Sequence, residues 1–84
     1  MVTVKLRVLF FGRVSDVLGR EREAGIPEMG CTVAELRRLI SQETGTDILM
    51  KPGVRASIDR EVAGDDALVR PGAEVALFSL FSGG

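Results

Sequence analysis

The sequence closes on Ser82-Gly83-Gly84, and the carboxylate of Gly84 is the group in it most open to chemistry. Two glycines carry no side chains, so they can thread a channel too narrow for any other residue. They also leave the terminal carboxylate sterically open to attack. Glycine is roughly 7% of average sequence, so such a pair ends a chain by chance about once in 200. A frayed terminus without function would look the same by itself. The remaining residues have to separate the two.

Other reactive types are few. The chain has no His, Trp or Tyr and a single cysteine, Cys31. Without His, the commonest general base and metal ligand is missing. One cysteine excludes an internal disulfide and the usual Cys/His zinc sets. Cys31 precedes a helix start, where the dipole favours thiolate. Nothing basic adjoins it in sequence, and it reads as a small structural residue. Asp65-Asp66 reads as a solvated turn rather than half of a metal site. Arg37-Arg38 reads as a solvated helix face. Chemistry, if present, therefore belongs to the terminus or to a partner, and the chain is not catalytic alone.

The totals fit that reading. Eighty-four residues with 45% hydrophobic and 27% charged content are ordinary for one small globular domain. A net charge of −1 points to neither nucleic acid nor an anionic membrane. With no long apolar run, no signal-peptide pattern at Met1 and a single cysteine, the chain is expected to be a soluble cytoplasmic protein.

The elements that must position the tail can be read in order. Val2 to Phe11 alternates with period two: Val2, Val4, Leu6, Val8 and Phe10 lie on one face. Leu9 and Phe11 make its far end apolar on both faces, as in a central strand. Arg13 to Leu18 gives one or two helical turns, with Val14, Val17 and Leu18 apolar and Gly19 as the stop. Arg20 to Ile26 reads as a charged edge strand, and Pro27 and Gly30 mark the turn after it. Thr32-Val33-Ala34-Glu35 is a capping box. Val33, Leu36, Leu39 and Ile40 then form the apolar stripe of a helix of about three turns ending at Gly45. Ile48, Leu49 and Met50 are expected to tuck under the sheet. Val54 to Ile58 and a short Glu61–Ala63 strand flank a tight Asp59-Arg60 turn. Leu68 is expected to plug the core. After the turn at Arg70-Pro71-Gly72 comes a last strand, Glu74 to Leu80, with Val75 and Leu77 on one face and Ala76, Phe78 and Leu80 on the other.

Two hairpins joined by one helix, with the first and last strands side by side at the centre, make a mixed sheet covered on one face. The expected fold is α+β, a ubiquitin-like β-grasp with one main helix packed across the sheet. It forms a single domain over 1–84 with a flexible tail from about residue 81.

Three stretches resemble one family. Val8-Leu9-Phe10-Phe11-Gly12 before a short helix is similar to the start of the small, sulfur-carrier subunit of molybdopterin synthase. Thr32-Val33-Ala34-Glu35-Leu36 resembles that family's helix start. Pro71-Gly72-Ala73-Glu74-Val75-Ala76-Leu77-Phe78 with Ser82-Gly83-Gly84 resembles its final turn, strand and tail. The thiamine sulfur carrier shares the fold and the Gly-Gly end. Where the family often has a Pro-Pro pair, this chain has Ser79-Leu80, which implies a looser tail or a slightly longer strand.

The resemblance implies a sulfur carrier. An activating enzyme of the ubiquitin-activating kind adenylates the Gly84 carboxylate with ATP, and sulfur from a donor protein converts it to a thiocarboxylate. Ser82 and Gly83 thread into the large synthase subunit, and the sulfur passes to a cyclic pyranopterin to form molybdopterin. The chain itself binds no cofactor and no metal. Phe81, past the strand, reads as a partner anchor beside the tail. Leu80 is grouped with it. Phe78 reads first as core but lies close enough to count among the partner-contacting residues. Alternatives are a carrier for thiamine thiazole synthesis, a ubiquitin-like protein modifier, and a passive binding module.

Overall fold

A computed structural model describes residues 2–79. In chain order the elements are β1 (Thr3–Phe11), α1 (Arg13–Leu18), β2 (Glu21–Pro27), β3 (Cys31–Thr32), α2 (Val33–Thr44), a 3-10 turn (Ile48–Met50), β4 (Val54–Ile58), β5 (Glu61–Ala63), β6 (Leu68–Val69) and β7 (Val75–Ser79). Five strands form one sheet in the order β2-β1-β7-β4-β5. β1 and β7 run parallel, with Val8 beside Val75 and Phe11 beside Phe78. The other pairs in this sheet are antiparallel. The expected α+β arrangement, a mixed sheet with the first and last strands at its middle, is the observed one.

Period-two alternation decides what the sheet buries. Leu6, Val8 and Phe10 of β1, Val75 and Leu77 of β7, and Val54 and Ala56 of β4 join Val33, Leu36 and Ile40 of α2 in one core. Helix α2 starts where its capping box lies. Thr32 Oγ1 accepts from the Glu35 backbone N–H at 3.1 Å, and Glu35 Oε1 accepts from the Thr32 N–H at 2.8 Å. The Thr32 backbone N–H bond, with the Thr32 side-chain bond behind it, holds the Glu35 carboxyl below its ordinary range. Gly45 ends the helix in the left-handed region, φ 73°. The chain also supplies acceptors from far away: the Val33 and Ala34 N–H groups donate to the carbonyls of Ala67 and Asp65. Two of the four orphan donors of the first turn are met there.

Several expectations are corrected. β3 and β6 form a separate two-stranded sheet that alternation over two residues does not signal. Its register sets Val69 opposite buried Cys31, so Val69 fills the core and Leu68 points out, 45% exposed. In the 3-10 turn, successive side chains diverge by a third of a circle. Leu49 alone is buried there; Ile48 is half-buried and Met50 is exposed. Leu39 lies half-buried at the margin of the α2 stripe, and Val17 of α1 is exposed. Only one face of the sheet is covered, so Leu9 is half-buried and Phe11 is 53% exposed despite the central position of β1.

Arg37 and Arg38 separate sharply. Arg37 reaches under the 3-10 turn, where Nη1 donates to the Leu49 carbonyl at 3.2 Å and Nη2 to the Val54 carbonyl at 2.8 Å. Its Nε stands 3.4 Å from Asp65 Oδ1, and the side chain is only 12% exposed. One guanidinium thus ties α2 to both ends of the connection entering β4. Arg38 is exposed. Arg37→Ala is expected to cost about 2 kcal/mol, the scale of a charge-assisted hydrogen bond removed from a half-buried carbonyl. Arg38→Ala is expected to stay within about 0.5 kcal/mol. Urea melts of the two variants side by side check this, and equal losses would refute the clamp.

Candidate functional site

The site is built at the end of β7, because that strand carries the chain toward the Gly-Gly terminus. β7 lies between β1 and β4, and its last described residue, Ser79, pairs with Val54 at the start of β4. On its other side stands the β1–α1 turn. Gly12 in that turn has φ 68°, and a Cβ built on it would meet Ser79 Oγ at 2.8 Å. The positive φ and this close approach to Ser79 together favour glycine here. The Arg13 N–H donates to Ser79 Oγ at 3.0 Å. Ser15 Oγ donates to the Gly12 carbonyl at 2.7 Å and steadies the same turn. Gly12, Arg13 and Ser79 therefore meet in a three-part clasp that holds Ser79 of β7 against the β1–α1 turn.

The clasp is legible only in part from sequence. Gly12 reads as a turn glycine with no further role, whereas its missing side chain is space for Ser79. The Ser79-Leu80 departure from Pro-Pro is the signal: serine has a hydroxyl that can accept an N–H, and proline has none. Among the described residues β7 spans Val75–Ser79, starting one residue after the expected Glu74.

Phe78 is half-buried on the face opposite α2 and is not in the core. Its register neighbours are Phe11 and Arg55. One residue-pair earlier, Leu9 is level with Ala76. These four apolar residues line the open face of the central strands. The charged pairs Lys5–Glu23 at 3.9 Å and Arg7–Glu21 at 3.4 Å flank them toward β2. Both pairs are well exposed, where each contributes little to stability. The remaining expected site residues, Leu80, Phe81, Ser82, Gly83 and Gly84, lie outside the described residues, as does the expected flexible tail.

The other candidates resolve into structure. Cys31 is 6% exposed, within the core. Burial first, and the Glu35 charge second, push its thiol up, away from thiolate chemistry. Asp65 is spent on Arg37 and on capping α2. Among the described residues, no group of three or more His, Cys, Asp and Glu side chains is placed to hold a metal ion. Among them too, no helix is long and apolar enough to cross a membrane.

A mixed five-stranded sheet, with α2 across one face and a central last strand, is the β-grasp arrangement, and solved structures share it. SAMP1 from Haloferax volcanii is similar with a TM-score of 0.78 at 18% identity, over 96% of this chain and 100% of that one. A second structure, of H. volcanii small archaeal modifier protein 1, gives 0.75 at 15% identity, over 90% and 97%. A protein assigned as molybdopterin converting factor, subunit 1, from Pyrococcus furiosus gives 0.74 at 22% identity, over 90% and 97%. No protein of curated function matches by sequence. The ThiS family profile matches residues 8–84, and the chain belongs to that family.

Proposed function

We propose that the chain is a sulfur carrier whose Gly84 carboxylate is the working group, and that it serves as the small subunit of a molybdopterin synthase. The observation that carries this is the ThiS-family match, which runs through β7 and on through Gly83 and Gly84. A carboxylate is a poor electrophile until one oxygen becomes a good leaving group. An adenylating partner supplies that by joining the carboxylate to the adenylyl group of ATP and releasing pyrophosphate. A sulfur donor then displaces AMP and leaves the thiocarboxylate. Base, acid and nucleotide site all lie in the partners. The pterin pathway is preferred over thiazole synthesis because the chain resembles the molybdopterin synthase small subunit at both ends and at the α2 start. The likeness to the P. furiosus protein agrees with it.

A second reading, a protein modifier joined to lysines through the same activated carboxylate, is favoured by the likeness to small archaeal modifier protein 1. Co-expression with an adenylating enzyme, followed by intact mass, separates them. A mass gain matching one oxygen replaced by sulfur supports the carrier. Lysine adducts on other proteins support the modifier. An unchanged chain refutes both.

The partner surface follows from the same reading. Phe11 and Phe78 on the open face, with Leu80 and Phe81 beyond β7, provide aromatic and aliphatic anchors next to the reactive end. Phe81→Ala is expected to weaken binding to the large subunit by about 2 kcal/mol while changing stability by about 0.5 kcal/mol or less. Titration calorimetry paired with a melting curve checks it. Wild-type affinity with easy unfolding would place Phe81 in the core instead.

A further inference from the structure

Ion pairing divides the basic side chains into two groups. Of the eleven Lys and Arg residues, six stand 3.4–3.9 Å from a carboxylate. The other five, Arg13, Arg20, Arg38, Arg55 and Arg70, are exposed and have no such partner among the described residues. Three of these five surround the end of β7. Arg13 lines one groove with Ser79. Arg55 is the register neighbour of Phe78. The Arg20 carbonyl accepts from the Phe10 N–H at 2.8 Å, and Arg20 shares a hollow with Phe11 and Gly12.

Strand order gives the spacing. Arg20 lies on the β2 side of this end and Arg55 on the β4 side, with β1 and β7 between them. Three strand spacings are about 14 Å. The Debye length is about 10 Å at 0.1 M salt, so the charges act together on an approaching group. Opposing charge is sparse there. Arg7 holds Glu21 and Lys51 holds Asp47, which leaves Asp16 of α1 as the unpaired carboxylate nearby among the described residues. Between the arginines the surface is apolar: Phe11 is 53% exposed and Phe78 is half-buried. The whole chain carries a net charge of −1, so this positive field is local. A long polyanion would meet the acidic remainder of the molecule. A short protein segment with carboxylates beside apolar side chains fits both parts of the patch.

We propose that the end of β7 is a docking surface for an acidic segment of a partner protein, with Arg13, Arg20 and Arg55 as its charged contacts and Phe11 and Phe78 as its apolar ones. Naming that partner as the protein that receives Gly84 rests on the carrier reading; the surface and its charge preference do not. Complementary charge of this kind speeds encounter and rejects wrong partners more than it adds affinity.

A capped oligoglutamate peptide tests the surface directly. At about 0.01 M salt, where the Debye length is about 30 Å, it is expected to shift the backbone amide resonances of Gly12, Arg13, Arg20, Arg55 and Phe78. The shifts are expected to vanish at about 1 M salt. The double variant Arg13→Glu/Arg55→Glu is expected to lose them while keeping the melting curve. Arg38→Glu/Arg70→Glu, an equal change in net charge elsewhere on the molecule, is expected to keep them. With an adenylating enzyme, the first double variant is expected to associate about 10-fold more slowly than the second at low salt, the two converging at high salt. Three outcomes overturn the proposal: shifts that spread equally to Arg38 and Arg70, equal losses in both double variants, or tighter binding of a short RNA than of the peptide at the same resonances. A wild-type chain that never gains sulfur sinks the carrier reading instead, and the peptide result stands apart from it.

Discussion

Deleting Gly84 is expected to abolish sulfur transfer while leaving the melting curve of the domain unchanged. Every buried residue among those described lies at or before Leu77. Gly84 carries no side chain, so its deletion removes no apolar group. It does withdraw the carboxylate by one residue, about 3.5 Å along an extended chain. A misplacement of about 1 Å can already cost 100-fold when reacting groups must be aligned. Here the new terminus would stop short of both the adenylating and the sulfur-accepting centres. Intact mass after incubation with an activating enzyme, ATP and a sulfur source reads the first step, and pterin conversion reads the second. Calorimetric melting supplies the control. Full transfer by the shortened chain would remove Gly84 from the chemistry.

Leu36→Ala is expected to remove about 2–5 kcal/mol of stability, the range for leucine truncations in packed cores. Leu36 is 0% exposed and sits among Phe10, Ile40, Val75 and Leu77 in the core cluster. α2 covers one face of the sheet through only three fully buried residues, Val33, Leu36 and Ile40. At about 0.05–0.15 kcal/mol per residue, a domain of this length has only about 4–13 kcal/mol in total. The substitution therefore removes a large share of it. Denaturant melts at constant m-value measure the loss. A change below about 1 kcal/mol would mean that the site collapses around the smaller side chain, or that α2 contributes less than its burial indicates.

Much of this architecture could be read from the residues. The alternation in β1 and β7, the capping box at Thr32 and Glu35, and the stop at Gly45 are local patterns, and local patterns survive folding. What could not be read depends on register between distant segments. Whether Leu68 or Val69 faces inward is set by pairing with Cys31 and Thr32, more than 30 positions earlier. The role of Arg37 depends on the Leu49 and Val54 carbonyls arriving at its guanidinium, so it looks like its neighbour Arg38 until the chain is folded. The clasp at Ser79 needs Gly12 and Arg13 beside it, at a separation of 66 residues for the Arg13 bond. The Gly-Gly end is conspicuous in sequence and lies outside the described residues.

The central place of β7 also bears on how the protein is made. β1 and β4 do not pair with each other in the five-stranded sheet; β7 stands between them and bonds to both. A nascent chain that has released β1, α2 and β4 still lacks the strand that joins the two halves. Its apolar faces wait until synthesis has passed residue 79. Contacts this distant in sequence are closed late and slowly, because the loop entropy is lost before the pairing compensates for it. Closure of the sheet therefore waits for β7, and a truncation before residue 75 leaves β1 and β4 without the strand that joins them.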